Sequence, residues 1–69
     1  MKNSILTKRE KEIFNLLVRN DSTKDIAIKL KISEKTVRNH ISNVIQKLDV
    51  TNRCNAILEL IKLDIIKLE

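Results

Sequence analysis

No glycine and no proline occurs anywhere in the 69 residues of this chain. Tight hairpin turns lean on those two residue types, so an architecture of short hairpins is nearly closed to it. Leu, Lys and Glu are frequent, and all three are good helix formers. Ile is abundant and on its own would also suit a strand. Its spacing decides the matter. The apolar residues recur three and four apart instead of two apart, which is the period of a helix with one buried face. The expected fold class is all-α.

The length fits a single domain over residues 1–69. Such a core stabilises a chain by roughly 3–5 kcal/mol, so a subunit partner would help. The lone cysteine, Cys54, excludes an internal disulfide and fits a reducing cytoplasm. No apolar run approaches the ~18 residues of a membrane span, and the N-terminus has no charged-then-apolar signal segment. The expected location is cytoplasmic, on the nucleoid, with no membrane partner. The formal net charge of +5 favours an anionic partner, nucleic acid first and a membrane surface second. An ordinary solvated surface is also compatible with that charge.

Four helices are expected, with no linker long enough to separate domains. Residues 1–6 form a short arm. Thr7 caps a helix over residues 8–19, with Glu10 at the third position of a capping box and Ile13, Leu16 and Leu17 facing inward. Ser22 caps a short second helix, Thr23–Leu30, with Asp25 at the capping-box position and Ile26, Ala27 and Leu30 inside. Ser33 caps a third, Glu34–Leu48. Thr51 or Asn52 caps a fourth, ending near Leu63, with Ala56, Leu60 and Leu63 inside and an apolar tail at Ile65, Ile66 and Leu68. The unit 22–48 is then a short helix, a tight turn and a long helix, a helix-turn-helix whose second helix enters a major groove.

The third helix has two faces with different jobs. Val37, Ile41, Val44, Ile45 and Leu48 fall in an apolar arc of about 100°. The opposite arc holds Lys35, Arg38, Asn39, Ser42, Asn43 and Gln46, with no carboxylate after Glu34. A solvated face usually mixes both signs. A cationic, amide-rich face suits base-pair edges, where Arg reads guanine and Asn or Gln reads adenine. Arg38, Asn39 and Ser42 are the expected base-reading set. Lys24, Lys35, Thr36, Val37, His40, Asn43 and Lys47 are the expected phosphate and positioning set. Thr36 could instead serve only the Ser33 cap. His40 could in principle be a metal ligand or a base, but one His, one Cys and no clustered carboxylates support neither. No nucleophile, metal cluster or phosphate loop is present, so neither an enzyme nor a cofactor is expected.

Two further features bear on assembly. Glu10 shares a face with Ile13 and Leu17, where it can bond the backbone near Thr7, pair with Arg53 from the fourth helix, or do both. The fourth helix is too apolar for one core. Cys54, Ile57, Leu58 and Ile61 widen its apolar arc to about 220°, against the ≳100° a surface helix needs. A homodimer seam over Cys54, Ile57, Leu58, Ile61 and Ile65 would use the excess, and packing of the tail would be the internal alternative.

These residues resemble the LuxR-type DNA-binding domain. The likeness runs through Leu6-Thr7-Lys8-Arg9-Glu10 with Glu12-Ile13, through Lys24-Asp25-Ile26-Ala27 and Leu30, through the run from Ile32 to Ile41, and through Lys47-Leu48, Val50, Asn52-Arg53 and Ala56. It covers residues 6–63 and is nearest to free-standing spore-formation regulators consisting of little more than this domain. It implies a four-helix fold, groove contacts at Arg38, Asn39 and Ser42, and dimerisation through a helix at 52–63. The expected function is sequence-specific binding of double-stranded DNA at an inverted-repeat operator by a homodimeric transcription regulator with a role in sporulation. No receiver or small-molecule domain is expected, so activity would follow the timing of synthesis. Where the family often has glycine, this chain has Asn20 or Asp21, Asp49 and Asp64. Ile28 replaces a usual polar residue and is either a tolerated surface residue or a contact for RNA polymerase. The alternatives are a module like sigma-factor region four that depends on RNA polymerase, and a helical adaptor that binds protein. Only the DNA binders would lose affinity steeply with salt.

Overall fold

The structure, a computed structural model, describes residues 5–67. Its four helices are α1 (Lys8–Val18), α2 (Thr23–Leu30), α3 (Glu34–Leu48) and α4 (Arg53–Lys62), and no strand occurs among the described residues. α2 and α3 pack on each other, α1 packs against both, and α4 packs against α3.

Each helix begins at a side chain that satisfies an orphan N–H of the first turn. The hydroxyls of Thr7, Ser22 and Ser33 accept from Glu10, Asp25 and Thr36, and the Asn52 amide oxygen accepts from Asn55. At α1 the box is reciprocal, because the Glu10 carboxylate accepts from the Thr7 N–H at 3.0 Å.

The four helix ends share one device. In each, a left-handed residue follows the last turn: Asn20 (φ 74°), Lys31 (φ 60°), Asp49 (φ 58°) and Asp64 (φ 62°). The next residue's N–H then reaches back five positions. Asp21 donates to the Leu16 carbonyl, Ile32 to Ala27, Val50 to Ile45 and Ile65 to Leu60, at 2.9–3.2 Å. Two orphan carbonyls per helix are satisfied this way. Asn and Asp tolerate the left-handed region through their short polar side chains. Of the two candidates after α1, Asn20 takes the turn and Asp21 does not. Lys31 has no such help and is the costliest of the four.

The core comprises Leu6, Ile13, Phe14, Leu17, Ile26, Ala27, Val37, Ile41, Val44, Ala56, Leu60 and Ile66. Several positions differ from expectation. Leu6 lies in the core instead of in a free arm. Phe14 is fully buried and Leu16 only partly, because the inner arc of α1 centres on residues 10, 13, 14 and 17. Leu30 is half-buried. Leu63 is exposed: α4 ends at Lys62, the chain turns at Asp64, and Ile66 fills the core position instead. Leu68 lies outside the described residues. Ala27, small and buried, belongs to the core on α2.

Candidate nucleic-acid interface

Burial orients α3. Val37, Ile41 and Val44 are buried, and Ile45 and Leu48 are half-buried. Lys35, Arg38, Asn39, Ser42, Asn43 and Gln46 are exposed together on the other side. Arg38, Asn39 and Ser42 therefore share one open arc on a helix whose opposite side is fixed in the core. Arg38 is 57% exposed, and its Nη1 lies 3.3 Å from the Glu34 carboxylate. An exposed i,i+4 pair contributes only about 0.3–0.5 kcal/mol, so a nucleobase or phosphate can take Arg38 from it.

The positioning set divides. Lys24 is exposed at the start of α2 and Lys35 at the start of α3, and neither has an ion-pair partner among the described residues. Asn43 is exposed. Thr36 serves the cap: its N–H donates to the Ser33 hydroxyl at 3.0 Å, and its own oxygen accepts from that hydroxyl at 2.9 Å. Val37 is fully buried, so its side chain cannot meet a phosphate. It belongs to the core arc of α3 and leaves the set. His40 is half-buried, with Nδ1 enclosed and without a hydrogen-bond partner among the described residues.

Lys47 also has another task. It lies nine residues beyond Arg38, which at about 100° per residue is half a turn around the helix. There its Nζ donates to the Glu10 carboxylate at 2.6 Å and to the Ile5 carbonyl at 3.3 Å. This corrects the expected Glu10–Arg53 pair. The first turn of α1 meets the last turn of α3, so Lys47 takes the place foreseen for Arg53. Glu10 is 3% exposed. Burial alone would raise its carboxyl pKa. The Lys47 hydrogen bond, the Thr7 N–H, the Lys47 charge and a smaller electrostatic effect of His40 outweigh that and hold it below its ordinary value.

Arg53 is exposed at the first position of α4 and lines a shallow groove with Arg38, Ile41, Ser42 and Ile45. The structure thus adds Arg53 to the cationic surface beside Arg38 and Ser42. Helical phase could have taken Lys47 off the Arg38 face, since the two are half a turn apart on α3, but it says nothing of Arg53 on α4.

Of the five seam residues, Cys54 and Leu58 are exposed, Leu58 by 58%. Ile57, Ile61 and Ile65 are half-buried against the core, and the adjoining Ile66 is buried. The tail residues Ile65 and Ile66 line a groove with α1, and Ile57 and Ile61 pack partly against the core. What stays open is a strip of Cys54, Leu58 and Ile61, with Leu58 and Ile61 in a groove shared with Val50. No helix among the described residues is long and apolar enough to cross a membrane, and no cluster of His, Cys, Asp or Glu there could hold a metal ion.

A family model described as bacterial regulatory proteins, luxR family, matches residues 4–60. The chain is 59% identical to the spore germination protein GerE of Bacillus subtilis (strain 168), over 86% of this chain and 80% of that protein. It is 48% identical to the transcriptional regulatory protein DegU of Brevibacillus brevis, over 84% of this chain and 25% of that longer protein. Among solved structures it is similar to the transcription factor GerE, with a TM-score of 0.95 and 67% identity over 97% of this chain and 100% of that one. It is also similar to the response regulator ChrA of a heme-sensing two-component system, with a TM-score of 0.84 and 36% identity over 96% of this chain and 33% of that one.

Proposed function

This chain belongs to the luxR family of bacterial regulatory proteins, a family of transcription regulators and not of enzymes, and from that premise we propose that it binds double-stranded DNA sequence-specifically as a homodimer. α3 lies in the major groove. Arg38, Asn39 and Ser42 read base edges, and Lys24, Lys35, Asn43 and Arg53 hold the backbone. The observation that carries this reading is the exposed arc of α3, cationic and amide-bearing, with its only carboxylate, Glu34, at the first turn. The cytoplasm is the matching location. The likeness to a protein named for spore germination supports a part in spore development.

Selection of bound fragments from random DNA tests the whole reading. An inverted repeat is expected, with half-sites about one helical turn apart, because a twofold protein imposes twofold symmetry. Recovery of tandem direct repeats would overturn the symmetric dimer.

Arg38 and Arg53 should separate by role. Arg38→Ala is expected to cost about 1–3 kcal/mol on the selected operator, concentrated at one base pair per half-site, with little loss on scrambled DNA. Arg53→Ala is expected to weaken both DNAs alike and to reduce the salt slope by about one. Equal losses on operator and scrambled DNA for Arg38→Ala would make Arg38 a phosphate contact. Competition binding at several salt concentrations measures both.

A further inference from the structure

The outer face of α1 carries positive charge that the DNA reading leaves unused. Lys8, Lys11, Asn15 and Arg19 recur three and four apart, and all four are exposed. They share an arc of about 80°, facing away from the buried arc of Glu10, Ile13, Phe14 and Leu17. None of the three cations has a carboxylate partner among the described residues, and nearby carboxylates are engaged elsewhere. Glu12, at the edge of the stripe, holds Arg9 at 3.2 Å, and Asp21 holds Lys29 at 2.7 Å. The segment after α4 comes alongside, so that Lys11, Asn15, Val18, Arg19, Ile65 and Lys67 line one groove. Val18 and Ile65 are half-buried and supply its apolar part. Lys67 reaches Asp64 only at 3.9 Å, with both side chains largely in solvent.

We propose that this groove docks an acidic amphipathic segment of a partner protein. Its carboxylates meet Lys11, Arg19 and Lys67, and its apolar side chains rest on Val18 and Ile65. Charge complementarity and position carry the argument. Uncompensated like charges on one face repel one another, and an acidic partner relieves that. A bare phosphate backbone would use the cations but not the apolar strip, whereas an amphipathic acidic segment uses both. α1 and α3 meet through their buried faces, so the stripe points away from the open arc of α3. The inference rests on the DNA reading only in placing the partner opposite the duplex, where both can be bound at once.

The test uses the full chain and fluorescence anisotropy with three probes: a short labelled amphipathic peptide of Glu and Leu, its twin with Gln for Glu, and the operator duplex. The Glu peptide is expected to bind, to weaken with added salt, and to bind about tenfold tighter than its Gln twin. The variant Lys11→Gln/Arg19→Gln/Lys67→Gln changes only exposed side chains. It is expected to lose about tenfold in affinity for the Glu peptide while its duplex affinity stays unchanged. The single variant Arg19→Gln, run beside it with a circular dichroism melt of each, keeps the result readable if the triple variant unfolds. Equal binding of the two peptides, or full binding by the folded variants, would overturn the proposal. So would a parallel loss of duplex affinity, which would assign the stripe to nucleic acid. Failure of the DNA reading looks different, as peptide binding by a wild-type chain that does not bind the duplex.

Discussion

Leu58→Glu is expected to break the proposed dimer into folded monomers and to lower affinity for a two-half-site operator by about a hundredfold or more. Leu58 is the cleanest handle on the proposed seam because it is largely in solvent and makes little of the core. Ile61, one turn later, is half-buried against that core, so changing it would confuse association with stability. Across a twofold axis a single substitution acts twice. Each subunit loses apolar burial of roughly 1.5–3 kcal/mol, and two carboxylates are brought together. Affinity for an isolated half-site should hardly change, since α3 is untouched. The ratio of full-site to half-site affinity, measured beside sedimentation of the free protein, separates a seam from a mere surface. Cys54, exposed one turn before Leu58, gives a second readout. Mild oxidation should link the wild-type subunits if the axis brings the two Cα atoms within about 7 Å. A wild-type chain that stays monomeric even on operator DNA would return α4's open strip to ordinary surface.

What sequence pattern conveys about this fold, and what it does not, follows from the range of the forces involved. The caps at Thr7, Ser22 and Ser33 depend on residues three positions away and stand where local spacing put them, and of the two candidates for the fourth the structure takes Asn52. The left-handed turns at Asn20, Asp49 and Asp64 are local in the same sense. Lys31 was hidden because nothing in a lysine side chain favours that region. The tilt of α1 that buries Phe14 and half-exposes Leu16 is set by α2 and α3 together, and the apolar spacing of α1 alone fits either choice. The open arc of α3 was legible because it needs only one helix and its phase. The partner of Glu10 was not, because it joins residues 37 positions apart. Arg53 was the cation the sequence reading chose, and only the packing of α1 on the end of α3 puts Lys47 there instead.

That choice changes what a substitution at Lys47 should do. A phosphate contact at this position would leave stability alone, and Lys47→Ala would weaken all DNA a little. The geometry calls for the opposite. Removing Lys47 strands a carboxylate that is almost wholly out of water, with the Thr7 N–H as its remaining bond. Breaking a fully buried pair costs about 3–5 kcal/mol, and the 36% exposure of the Lys47 side chain brings this nearer to about 2–3 kcal/mol. A core of this size supplies only roughly 3–5 kcal/mol in all, so most of the monomer's stability is at stake. Lys47→Ala is therefore expected to melt far below wild type, and DNA binding should return when the variant is held cold. The same pair predicts a pH dependence. Glu10's pKa is lowered in the folded state, so its contribution is complete above the ordinary carboxylate range and is lost as pH falls through the lowered value. Between neutral and acid pH, wild type should lose more stability than Lys47→Ala, whose Glu10 has lost the Lys47 charge and hydrogen bond and keeps only the Thr7 N–H. Replacing both partners, as Glu10→Gln/Lys47→Met, should restore part of the loss, because it leaves no buried charge unpaired. Denaturant melts of the wild type and the two variants across that range read the effect directly. A Lys47→Ala variant with wild-type stability and a reduced salt slope on DNA would put Lys47 back among the phosphate contacts.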